Sequence, residues 1–107
     1  MENRQDAISI KAKICLKTTD EGGRISGIRT GYRPNHVFEK TEDNKFFQTY
    51  IGEIQFDQQE IIELGESKNV TVKFLRLWEI EKYLSVGQKW FIFEGSKLVG
   101  DAEIIGI

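Results

Sequence analysis

Three arginines, Arg24, Arg29 and Arg33, lie five and four residues apart in the stretch Asp20–Pro34, DEGGRISGIRTGYRP. A guanidinium presents a planar fork of donors that suits phosphate or carboxylate, so these side chains either meet a ligand or brace their loop against Glu21 and other carboxylates. Glycines allow the positive φ angles of tight turns, and Pro34 fixes its own φ while driving Arg33 towards extended backbone. The stretch is therefore a structured loop. Arg24 and Arg33 stand in its two glycine-rich corners, where bracing is the expected role, and Arg29 in the spacer is freer to bind.

The remaining reactive groups fall short of a catalytic or metal centre. His36 has no serine or cysteine nucleophile signature near it and is expected at the surface. Asp57, Glu60, Glu63 and Glu66 lack the spacing of a calcium loop and suit a solvated face. Neither Glu21–Arg24 nor Gly95–Lys97 has the spacing or the following helix of a phosphate-binding loop, so no nucleotide is expected. One Cys and one His make neither an internal disulfide nor a zinc set. The expectation is a non-enzyme with no cofactor and no metal.

These groups sit on a chain of 107 residues, 39% hydrophobic, with seven Phe, three Tyr, two Trp and a single Pro. That composition fits one ordered domain spanning 1–107, with residues 1–6 expected to fray. No run approaches the ~18 apolar residues of a membrane helix, and MENRQDAISI lacks the basic start and apolar core of a secretion signal. A cytoplasmic location without membrane contact is expected. Charge is uneven: residues 1–36 hold seven Lys/Arg against four Asp/Glu (+3), and residues 37–107 hold eight against thirteen (−5). A long nucleic-acid groove is not expected, and the first third leaves room for no more than a small basic patch.

The positioning elements are strands. From Ile8 to Leu16 apolar residues alternate with Lys11, Lys13, Cys15 and Lys17, the period of a half-buried strand. Asn35–Lys40 is a short strand candidate, followed by turn chemistry at Thr41–Lys45. Phe46–Phe56 is a longer β-rich run in which Gly52 suggests a bulge or bend. After a turn at 57–60 and a short apolar segment at Ile61–Leu64, a further strand runs from Val70 to Leu77. Leu77–Val86 has mixed periodicity and is expected to be a loop holding one turn. Trp90–Glu94, the Gly95–Lys97 turn and Leu98 onwards form a closing hairpin. Many short strands without a long helix imply an all-β barrel or sandwich.

Three separated motifs occur together in order: Glu21–Arg24 (EGGR) and Gly31–Pro34 (GYRP) with six residues between them, VTVKFLRL at Val70–Leu77, and GQKWFIFEGSKLVG at Gly87–Gly100. In this arrangement, from about Ile10 to the C-terminus, the chain resembles the C-terminal β-barrel domain, the third domain, of bacterial elongation factor Tu. The resemblance implies a closed six-stranded antiparallel barrel. It also implies binding rather than catalysis, since that domain docks on a GTPase domain and touches the T-stem of tRNA. At the tRNA-contacting positions, Asn35 replaces a glutamine, Asn44 aligns near a threonine, and Glu94 is retained. The family's His-Thr-Pro-Phe, in a loop facing the GTPase domain, is replaced by Ile25-Ser26-Gly27-Ile28. Alternation places Trp90 and Ile92 inward, so Phe91 and Phe93 should point outward. There they form a sticky patch unless the Phe46–Phe56 or Leu77–Val86 loop folds over them.

The resulting expectation is a stand-alone, translation-related protein-interaction module that binds through Ile25, Ile28, Arg29, Phe91 and Phe93. An RNA-binding module that holds a tRNA arm with Arg29, Arg33, Asn35, Asn44 and Glu94 is the alternative. A third reading, an immunity or antagonist protein that copies a translation-factor surface, is a variant of the first.

Overall fold

The computed structural model describes residues 7–46, 48–75 and 78–107. The segment 1–6, with its expected fraying, lies outside these, as do Phe47 and Leu77. Six strands form: β1 (Ala7–Leu16), β2 (Asn35–Val37), β3 (Tyr50–Gln55), β4 (Ser67–Leu75), β5 (Lys89–Glu94) and β6 (Lys97–Gly106). They close into an antiparallel barrel in the order β1-β4-β3-β2-β5-β6. Closure pairs each strand on both sides, so no free edge is left to template aggregation. Among the described residues no helix is long and apolar enough to cross a membrane.

The alternation in β1 decides its orientation. Ile10, Ala12, Ile14 and Leu16 are at most 1% exposed, while Lys11 and Lys13 face out. The β5–β6 hairpin turns at Gly95, whose φ of 60° fits the first position of a II′ connection. Before β2, Thr18 caps a short 3-10 helix, Thr19–Glu21, in a reciprocal capping box with Glu21. Gly22, at φ 93°, ends that turn in the left-handed conformation that a side chain would strain. Leu77–Val86 was expected to hold one turn; Trp78–Tyr83 instead forms a 3-10 helix of six residues, with Ile80 fully buried.

A barrel this narrow is filled by side chains rather than by a channel. Trp90 occupies the centre, with Phe74 and Phe38 at ring distances of 5.9 and 5.2 Å. A buried indole N–H needs an acceptor, and His36 supplies one: Trp90 Nε1 donates to His36 Nδ1 at 3.0 Å. His36 is thus a fully buried core residue, which corrects the expectation of a surface position. β2 alternates like any strand, and its inward slot falls on His36.

Gly52 is neither a bulge nor a bend, since β3 keeps regular register with β4 through Gly52↔Phe74. Its missing side chain serves space instead. A Cβ there would lie 2.8 Å from Phe74 Cδ1 and 3.0 Å from His36 Nε2.

Candidate functional site

The loop Asp20–Pro34 is held at both ends by one carboxylate. Arg24 pairs with Glu94 Oε2, and the Tyr32 hydroxyl donates to the same oxygen. The guanidinium also lies 5.0 Å from the centre of the Tyr32 ring and donates to the Ser26 carbonyl at 3.0 Å. Burial, and then the bond to Glu94, hold the Tyr32 phenol well above its usual range. Glu21–Arg24, Gly31–Pro34 and the closing hairpin therefore meet at Glu94. The bracing role expected of Arg24 is present, and Glu94, expected as an RNA contact, is engaged inside the fold.

Between these anchors the spacer is pinned to the segment after β3. Ile28 N donates to Ile62 O at 2.9 Å and Ile62 N to Ile28 O at 3.0 Å. Both side chains enter the core, at 3% and 0% exposure. Ile28 was expected in a protein-binding set; the paired backbone turns it inward, and it is unavailable. Gly27 lets the two segments touch, because a Cβ would fall 2.4 Å from the Ile62 carbonyl oxygen and 2.9 Å from Ile61 Cγ2.

Among the exposed residues of the pinned loops two are large and apolar. Ile25 is 85% exposed and Ile61 is 40% exposed. Arg29 is exposed, and no hydrogen bond or ion pair ties it to another described residue. Ile61 was absent from the expected site, since only the tertiary pairing of Ile28 with Ile62 brings its neighbour beside the spacer. The short apolar run Ile61–Leu64, too brief for a buried strand, was the available signal.

The expected Phe91/Phe93 patch is covered. Phe93 is the Cα partner of Asn35 and lies outside the main core cluster, so it does point away from the lumen. It is nevertheless fully buried, with the Phe46 ring 4.8 Å from its own. Phe91 is half-buried, with Lys40 Nζ 4.8 Å from its ring centre. The connection between β2 and β3 lies over both rings, the alternative that alternation in β5 left open.

Of the expected RNA set, Asn35 is the Cα partner of Phe93, the neighbour of Glu94 in β5, and Arg33 lies two residues before Asn35. Arg33 is exposed and only 3.7 Å from Glu53. Asn35 is half-buried in β2, and Asn44 takes φ 64° in the turn that links Asn44 N to Thr41 O. No hydrogen bond or ion pair joins Arg29, Asn35 or Asn44 to one another or to Glu94 among the described residues.

Among the described residues, no group of three or more His, Cys, Asp and Glu side chains is placed to hold a metal ion. Compared with models of known protein families, the chain matches none.

Proposed function

We propose that this chain is a non-catalytic protein-interaction module, resembling the third domain of elongation factor Tu, that docks through the exposed Ile25 and Ile61 of its pinned loops. One observation carries the reading: Ile25, a β-branched apolar residue at the head of a loop braced at both ends, is 85% exposed. A loop fixed before association loses little further freedom on binding. Covering a large apolar side chain is favourable by roughly 1.5–3 kcal/mol. Arg29 gives the same loop a charge with which to orient a partner. The link to translation rests on the resemblance of the three motifs.

The test is capture of the tagged chain from its native cell, with proteins and RNA identified together, comparing wild type with Ile25→Ser/Ile61→Ser and with Arg29→Glu. A protein recovered with wild type and lost with the isoleucine variant, whose circular dichroism and melting stay unchanged, is the expected result. Equal recovery by that variant refutes docking through these residues. Recovery of tRNA that depends on Arg29 and is indifferent to Ile25 selects the RNA reading instead.

A further inference from the structure

A second surface, which includes neither Ile25 nor Ile61, lies on the outer wall of the barrel. Registers place Ala7 opposite Leu75 and Asn35 opposite Ile51. Because Gly52 faces Phe74, the next pair along, Ile51 and Leu75, are neighbours on the outside. Both are large and apolar, and they are 56% and 48% exposed. Between them runs a groove of about 290 Å³, floored by Gly52 and rimmed by Arg33, Glu53 and Lys73. Gly52 itself faces the core, where a Cβ would meet Phe74 and His36, so only its backbone lines the groove.

The charge around this groove runs against that of the whole protein. The chain carries −2 overall. The residues that line the groove nevertheless hold Arg33 and Lys73 against a single acid, Glu53. One row beyond the apolar pair, Lys73 faces Glu53 across the β3–β4 register, and Arg33 lies on the other side of Glu53 at 3.7 Å. One carboxylate therefore stands between two exposed cations, and the rim keeps a net positive charge. Lys11, further along β1, donates to Thr71 Oγ1 at 3.1 Å.

We propose that this groove is a docking site for an acidic polypeptide segment that inserts one apolar side chain over Ile51 and Leu75 and sets carboxylates against Arg33 and Lys73. The barrel is closed, so a partner cannot add a strand and must be recognised by side chains. Charge complementarity then selects and steers an acidic partner. Single-stranded RNA gains affinity from aromatic platforms, whereas the exposed residues of the groove are aliphatic. A concave seat of this volume accepts one side chain, whereas a lipid surface would meet a flatter wall.

The experiment pans a random dodecapeptide phage library on the immobilised full chain at low salt. Fluorescence anisotropy then measures the selected peptides in solution, with a twenty-nucleotide oligo(U) and phosphatidylglycerol vesicles as comparison probes. The expected peptides carry Asp or Glu around a Leu, Ile or Phe and weaken as salt rises. They lose roughly tenfold or more in affinity with Ile51→Ser/Leu75→Ser and with Arg33→Glu/Lys73→Glu, while Ile25→Ser leaves them unchanged. All these positions are exposed, and unchanged melting confirms that each variant is folded. The proposal is overturned if no acidic-apolar class is enriched, or if the selected peptides ignore the groove variants. Dependence of the peptides on Ile25 overturns it as well, as does tighter binding of RNA or vesicles that the same groove variants abolish.

Discussion

The indole Nε1–H of Trp90 donates to Nδ1 of His36 at 3.0 Å, with both side chains fully buried. Because Nδ1 accepts, the imidazole proton sits on Nε2, which donates to the Gly52 carbonyl at 3.0 Å. Both ring nitrogens are satisfied only while the ring is neutral. A second proton would set an N–H against the N–H of Trp90.

Acid should therefore weaken the barrel through His36. Burial lowers its pKa from 6.5 to about 4, against a smaller upward pull from the Gly52 carbonyl. The unfolded chain binds the proton more readily, so the contribution is fully present above pH 6.5 and is lost progressively as pH falls towards 4. The difference corresponds to roughly 3 kcal/mol. Denaturant unfolding at several pH values should show this slope in wild type and not in His36→Gln. A slope unchanged in the variant would assign it to the carboxylates instead.

Gly52→Ala should destabilise the protein by about 1–3 kcal/mol through overpacking. The added methyl meets Phe74 and His36 at 2.8 and 3.0 Å, and both rings are held by Trp90. Chemical denaturation measures the loss, and the near-ultraviolet signal of Trp90 should change with it. A variant as stable as wild type would mean that the aromatic centre is loosely packed.

Glu94→Ala should loosen the Asp20–Pro34 loop while leaving the barrel folded. It removes the shared acceptor of Arg24 and Tyr32. The carboxylate is about a third exposed, so solvent screening keeps the expected cost near 1 kcal/mol. Hydrogen exchange is the more sensitive readout. The amides of Ile28 and Gly31, bonded to Ile62 and Ile54, should exchange faster than in wild type.

Phe46→Ser should uncover Phe93. Phe46 is the ring seen against it, at 4.8 Å, and it is itself half-buried. Stability should fall by roughly 2 kcal/mol, with increased binding of a hydrophobic dye and association at high concentration. Unchanged dye binding would show that other groups suffice to cover Phe93.

The elements most legible in the sequence were those with local causes. Period-two alternation located β1 and β4, and the glycine-led turn at Gly95–Lys97 located the last hairpin, whose connection is two residues long. Motif order, through a family resemblance, supplied the expectation of a closed six-stranded barrel. The site was less legible. Arg24 was expected to brace, but its acceptor lies seventy residues away at Glu94, and nothing local pairs the two. His36 lies between Asn35 and Val37 in a three-residue strand, too short for a period to show which side faces inward. Phe93 did point outward as alternation requires, yet exposure depends on what lies above a residue as well as on its direction.

The chain by itself determined where strands run, where they turn and which faces of the longer ones are apolar, because those properties depend on neighbours within a few residues. Tertiary structure decided that a histidine is buried, that Phe93 is covered, that Ile61 lies beside the spacer at Gly27, and that Ile51 and Leu75 share a groove. Each of these depends on contacts between residues distant in sequence. Only closure of the barrel brings such residues within a few ångströms and settles which groups water can still reach.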